Sequence, residues 1–182
     1  MARQEPMDIS PKEYEQYVKD WFDGLGYKLN SYSSTLNNKV IANDGKYEID
    51  IDITYEALGA TFHVLVECKR HSSNIKRELV QVLHQKIKSV GAHKGILCST
   101  SDFQKGALEY ARIHGIACMR IVDGRTTVMT RDDNSKGVSQ EYCELMGIPK
   151  VCGYIKELVG NSIQRSIVDK THLEYIEKIL EP

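Results

Sequence analysis

From Tyr47 to Lys69 apolar and polar positions alternate with a period of two. Ile49, Ile51 and Ile53 are spaced by Glu48, Asp50, Asp52 and Thr54, and Phe62, Val64, Val66 and Cys68 by His63, Leu65, Glu67 and Lys69. Half-buried β-strands impose that period, because successive side chains leave opposite faces of the pleat. Leu58-Gly59 falls between the two runs as a turn. With a two-residue hairpin loop and Ala57 opposite Ala60, Ile51 faces Val66, Ile53 faces Val64, Tyr55 faces Phe62 and Ile49 faces Cys68. One face of the hairpin is then continuously apolar. The other sets Asp50 opposite Glu67 and Glu48 opposite Lys69. Cβ atoms of directly opposed residues lie about 4.5–5.5 Å apart.

The flanking segments follow other periods. Tyr14, Tyr17, Val18, Trp21, Phe22 and Leu25 share one helical face, opened by Ser10 as N-cap with Pro11 at the first helical position and Glu13 in the first turn. Gly24 and Gly26 mark its end. The polar stretch Asn30–Lys39 reads as a loop or weak strand. Ile75 to Val90 forms a helix with Ile75, Leu79, Val82, Leu83 and Val90 on one face. A strand at Gly95–Ser99 follows, then a helix opened by a Ser101/Gln104 capping box and closed by Gly115, then a strand at Ile116–Val122. Strands separated by helices predict parallel pairing through right-handed crossovers. Thr126–Thr130 adds an edge strand, and helices are expected around Glu141–Met146, Val151–Val159 and Thr171–Leu180. The pattern predicts an α/β protein with a central mixed sheet flanked by helices. Its core domain covers 1–131, and a C-terminal helical extension over 132–182 packs on the core or serves dimerisation.

Composition narrows the class. At 182 residues, with 41% hydrophobic and 27% charged residues, the chain suits one soluble globular domain with an appendage. The N-terminal stretch lacks the apolar core of a secretory signal, and no apolar run reaches the length of a membrane span. Cys68, Cys98, Cys118, Cys143 and Cys152 form no CxxC pair, which predicts a reduced, cytoplasmic protein without zinc. The net charge of −1 does not advertise nucleic-acid binding. Its distribution is more informative. Lys69, Arg70, Lys76, Arg77, Lys86, Lys88 and Lys94 face only Glu78 within their segment, whereas acids outnumber bases beyond Asp132. The basic segment is either a solvated helix face or a phosphate-facing one.

Two opposed carboxylates repel, so Asp50 and Glu67 need a cation beside them. Lys69 is one candidate, which would make a structural ion pair. A divalent ion is the other: Mg²⁺ takes oxygen ligands and is commonly held by one or two carboxylates with phosphate oxygens and water. The Cys68 backbone carbonyl offers a further oxygen. Lys69, on the same face as Glu67, would then orient or deprotonate a water attacking phosphorus, or steady charge on the phosphate. Glu48 and Asp52 share the carboxylate face as solvating or supporting groups. Ser99-Thr100-Ser101, before a helix, serves as a cap or as a phosphate site.

The run GKYEIDIDI, then VECKRH, then VGAHKGILCSTSDFQKGALEYARIHGIA resembles the catalytic domain of Mrr-like restriction endonucleases, within the PD-(D/E)xK nuclease superfamily. The first helix, KEYEQYVKDWFDGLGYK, is similar to that family's opening helix. The resemblance spans roughly Ser10 to Val122 and lies in the order of its parts more than in any single motif. It implies a Mg²⁺- or Mn²⁺-dependent DNA endonuclease of restriction or defence, with Asp50 and Glu67 as metal-binding carboxylates and Lys69 as catalytic lysine. Asp52 stays an alternative to Asp50, although the hairpin register favours Asp50. The resemblance further makes Glu15 and Gln81 auxiliary residues. Arg70, Lys76 and Arg77 are the expected contacts to the nucleic-acid backbone. A homodimer through the tail helices is the expected assembly. The alternatives are a nuclease-like domain that binds DNA without cutting it, or an RNA or single-strand nuclease.

Overall fold

The Ser10 N–H donates to Glu13 Oε2 at 2.7 Å and the Glu13 N–H donates to Ser10 Oγ at 3.2 Å. Two N-terminal donors are thereby satisfied at one helix end, and helix α1 runs from there over Pro11–Gly26. Tyr14, Val18, Trp21, Phe22 and Leu25 are buried along it, at the spacing the sequence predicts. The computed structural model describes residues 7–26, 29–123, 145 and 151–168.

Seven strands form one mixed sheet in sequence order: β1 (Asn30–Ala42), β2 (Gly45–Ala57), β3 (Ala60–Lys69), β4 (Lys94–Ser99), β5 (Ala117–Asp123), β6 (Val151–Val159) and β7 (Ser162–Val168). Helices α2 (Arg77–Val90) and α3 (Lys105–Ile113) connect β3, β4 and β5, which pair in parallel as predicted. The remaining pairs are antiparallel. Helix α1 packs on one face of the sheet against Ile51, Ile53, Val66, Ile96 and Met119. Helices α2 and α3 cover the other face, against Leu65, Leu97, Cys118 and Leu158.

The β2–β3 hairpin has the register read from the sequence. Ala57 pairs with Ala60 and Ile51 with Val66, and Leu58 and Gly59 turn at φ values of 52° and 78°. Two positive φ values suit the mirror-image turns that match strand twist. The ladder stops at Ile51–Val66, so the continuous apolar face expected through Ile49 and Cys68 is interrupted. Ile49 packs instead with the α2/α3 core, while Cys68 stays with the α1 core. On the other side of β2, pairing with β1 skips Asn37, whose φ is +50°, although the register is the same before and after it. Asparagine tolerates this left-handed conformation better than branched residues do. Regular pairing is thus lost on both flanks of Asp50.

Several expectations are corrected. Of the two readings of Asn30–Lys39, loop or weak strand, the strand holds: the segment lies within a 13-residue strand, with exposed and half-buried positions alternating. Its polar side chains suit an edge strand, where main-chain pairing with β2 rather than apolar content holds the segment. Val82 is exposed on α2, and Val80 and Leu83 are the buried residues. The Ser101/Gln104 capping box does not form. Helix α3 starts at Lys105, and the buried Ser101 hydroxyl donates to Ser73 O at 2.8 Å. Val151–Val159 is not a helix but strand β6, and β7 follows it, so residues beyond the expected boundary at 131 pair with β5 in the central sheet. Cys152, Tyr154 and Leu158 fall on one face of this segment and Gly153 and Ile155 on the other, a period of two that pairing with β5 resolves in favour of strand. The expectations for Thr126–Thr130 and Thr171–Leu180 lie outside the described residues, as does that for Glu141–Met146 apart from Leu145.

Candidate active site

Asp50 sits where β2 parts from both neighbours, and its Oδ2 accepts the Cys68 N–H at 2.7 Å. The side chain therefore replaces a main-chain acceptor at the point where the ladder ends, and this ties Asp50 to the strand that carries Glu67. Burial first, then the neighbouring Glu67, pushes the Asp50 carboxyl up to about 6, against the partial relief of the Cys68 hydrogen bond and of Lys69 and Lys86. Both causes favour the neutral acid.

Glu67 is buried and takes a lysine on each oxygen: Lys69 Nζ donates to Oε1 at 2.6 Å and Lys86 Nζ to Oε2 at 2.7 Å. Lys69 is two residues along the same strand. Lys86 reaches across from α2 and also donates to the Glu48 carbonyl at 2.9 Å. Burial would lower the Lys69 ammonium, but Glu67 outweighs it, so the group is held above its ordinary value. Lys69 is therefore a firmly charged ammonium.

Glu15 lies on the half-buried flank of α1. Burial raises the Cys68 thiol, and that thiol also feels Cys98 and the carboxylates of Asp50, Glu15 and Glu67. The three acids thus all bear on the same thiol, although among the described residues no group of three or more His, Cys, Asp or Glu side chains is placed to hold a metal ion. The Cys68 peptide meets Asp50 through its N–H.

Other expected residues lie apart. Asp52 Oδ1 is 2.6 Å from His63 Nε2 and Oδ2 accepts Asn38 Nδ2 at 2.7 Å, so Asp52 is satisfied by its own partners. Gln81 is exposed on α2. Lys86 lies five positions further on, which on a helix is about 140° of rotation away. Arg70 Nε donates to the Met7 carbonyl at 3.2 Å, the Arg77 guanidinium lies 5.0 Å over the Tyr110 ring, and Lys76 is exposed just before α2. Lys86 was missed by sequence reasoning as a partner of Glu67. Its signal was in the helical phase: it follows the buried Leu83 by three residues and so lies on the same side of α2.

An aspartate and a Glu-x-Lys strand thus meet at one broken ladder of a sheet backed by crossover helices. The chain belongs to the Mrr catalytic-domain family, described as restriction endonuclease, whose family model matches residues 7–128. None of the curated proteins compared with it matches. Among solved structures, it is similar to AF1548, a protein of unknown function, with a TM-score of 0.52 at 15% identity, covering 94% of this chain and 79% of that one. Can2 from Sulfobacillus thermosulfidooxidans, solved with cyclic tetra-adenylate, gives a TM-score of 0.47 at 15% identity over 76% of this chain and 36% of its own. No helix among the described residues is long and apolar enough to cross a membrane.

Proposed function

We propose that this protein is a metal-dependent endonuclease that hydrolyses DNA phosphodiester bonds in restriction or defence, with Asp50, Glu67 and Lys69 as its catalytic residues. The observation that carries this reading is the state of Asp50. It is a carboxyl tied to the Cys68 N–H, and desolvation and the neighbouring Glu67 raise it to about 6 although Lys69 and Lys86 partly offset them. A cation at that point would discharge it.

The donors present fit Mg²⁺ or Mn²⁺, since two carboxylates and a main-chain carbonyl are hard oxygen ligands. Asp50, Glu67 and the Cys68 carbonyl would hold the ion, with Glu15 as the auxiliary carboxylate. When bound, such an ion polarises a phosphoryl oxygen and makes water a nucleophile near neutral pH. Glu67 must give up one ammonium to offer it an oxygen. Release of Lys86 leaves Lys69 in place. As a standing ammonium, Lys69 orients the attacking water and steadies charge on the phosphate rather than accepting a proton. Lys76, exposed just before α2, would contact the DNA backbone, with Arg70 and Arg77 as further contacts. One such site per chain means that cutting both strands calls for two copies, hence a homodimer, and a reducing cytoplasm fits the four free cysteines buried among the described residues.

Plasmid nicking with Mg²⁺ or Mn²⁺ tests the reading. Glu67→Ala and Lys69→Ala are expected to lower the rate by about 100-fold or more, the scale of losing one charge-stabilising group. Unchanged nicking in both variants would remove the assignment. A second reading, DNA binding without cleavage, is favoured by one observation: both oxygens of Glu67 already carry lysines, as in a structural ion cluster. Wild-type protein that binds DNA and cuts no substrate with either metal would establish it.

A further inference from the structure

Away from the carboxylates, a second charged cluster gathers where β4 leads into α3. Asp102 precedes α3, and Lys156 of β6 pairs closely with its Oδ1. Arg120 of β5 and Arg165 of β7 stand farther off, each with a guanidinium nitrogen 3.8 Å from an Asp102 oxygen. Arg120 Nε donates to the Thr100 carbonyl at 3.1 Å, which fixes the head of its side chain. Among the described residues the cluster therefore sets three cations against one carboxylate. Burial lowers both the Lys156 ammonium and the Arg120 guanidinium, only partly offset by Asp102. Lys156 is buried, while Arg165 remains 62% exposed, so the excess charge has an outlet to solvent.

Its place in the sheet gives this charge a direction. Lys69 pairs with Ser99, and Ser99 with Arg120, so the three lie in one row across parallel strands and project from one face. Glu67 pairs with Leu97 and Leu97 with Cys118; continuing the β5–β6 register brings Lys156 beside Cys118, and Lys156 pairs with Arg165. The catalytic pair and the cationic cluster thus occupy the same two rows of the same face. At a strand spacing of about 4.8 Å, Arg120 is about 10 Å from Lys69 and Arg165 about 19 Å from Glu67. Along one DNA strand, which advances about 3.4 Å per nucleotide, that corresponds to roughly three to six nucleotides. The two regions are also held rigidly. The Thr100 N–H donates to Lys69 O at 3.1 Å, the His71 N–H to Thr100 Oγ1 at 3.0 Å, and the Ile75 N–H to Asp102 O at 2.7 Å.

We propose that Arg120 and Arg165, which share Asp102 with Lys156 and so are not neutralised by it, bind a DNA backbone phosphate several nucleotides from the one positioned at Lys69. This rests on the nuclease reading above for the identity of the strand. Because Leu97 and Cys118 are buried against α2 and α3, it assigns the strand's path along the C-terminal ends of β3 and β4 towards Arg165 on β7, not over the sheet face.

The test is fluorescence anisotropy of a short labelled duplex without divalent metal, across a salt series, for wild type, Arg165→Gln and Arg165→Glu, with Lys12→Gln as an exposed-charge control. Arg165→Gln is expected to make the slope of log K against log salt shallower by about 1, the value of one lost phosphate contact, and Arg165→Glu to weaken binding further. Arg120→Lys, which keeps charge but loses the guanidinium fork, checks the partly buried member. Arg165 variants with the wild-type slope overturn the phosphate site, and the nuclease reading then stands on its own nicking assay. Wild type that nicks nothing, yet binds with a slope reduced in Arg165→Gln, keeps the site and removes the nuclease reading.

Discussion

Lys86 Nζ lies 2.7 Å from Glu67 Oε2, so a helix lysine holds the oxygen that the strand lysine leaves free. In the proposed enzyme this ammonium competes with the metal for Glu67. Lys86→Met is therefore expected to tighten Mn²⁺ binding by about tenfold, since a hydrogen bond to a charged group is worth about 1.5–3 kcal/mol and part of it is regained from water. Calorimetric titration checks this. Weaker Mn²⁺ binding in Lys86→Met would make Lys86 a supporting residue rather than a competitor.

Asp50 gives a pH dependence of defined sign. Its folded value of about 6 lies above the ordinary value of 3.8, so between these the native protein holds a proton that the unfolded chain has lost. The stability linked to Asp50 is full below about 4 and is lost as pH rises through about 6. Asp50→Asn keeps an acceptor for the Cys68 N–H and removes the titration. Its urea midpoint should exceed that of wild type at pH 7.5 and approach it near pH 4. Parallel profiles at both pH values would contradict the cause assigned to the shift. In wild type, Mn²⁺ affinity should fall as pH drops below about 6, because the ligand then carries a proton.

Asp52, two residues on, should behave in the opposite way. Burial alone would raise its carboxyl, but the bonds from His63 and Asn38 outweigh it and hold it below the ordinary value. Such a carboxylate stabilises above the usual range and ceases to as pH falls through its folded value. Asp52→Asn is expected to cost about 1–3 kcal/mol at neutral pH, because an amide keeps one acceptor oxygen and turns an NH2 towards the other of its two partners, His63 or Asn38, and to retain nicking activity. Loss of nicking in a folded Asp52→Asn protein would transfer the metal site from Asp50 to Asp52.

Gly153 tests the placement of β6. A Cβ there would come within 2.6 Å of Trp21 Cζ2 and 3.2 Å of the Val168 carbonyl, so the indole has to move. Gly153→Ala should destabilise by about 1–3 kcal/mol, the usual cost of overpacking. Trp21 is the single tryptophan, and its emission maximum reports the displacement directly. An unchanged spectrum and urea midpoint would separate β6 from the α1 core.

The local sequence carried the first helix, the hairpin register and the strand–helix–strand order through β5, because each rests on a period of side-chain burial and on short-range turn or cap chemistry. Ser10 with Glu13, Leu58 with Gly59, and the alternation through Ile51 and Ile53 are all decided within a few residues. The same patterns brought Asp50, Glu67 and Lys69 to one end of the hairpin. Chain neighbours did not decide Asn30–Lys39 or Val151–Val159, whose strands exist through long-range pairing with β2 and β5. Nor could they show Lys86 on Glu67, Asp52 withdrawn to His63, or the cationic row from Arg120 to Arg165. Those depend on how strands and helices distant in sequence are packed together, and only the folded sheet sets which charges share a face.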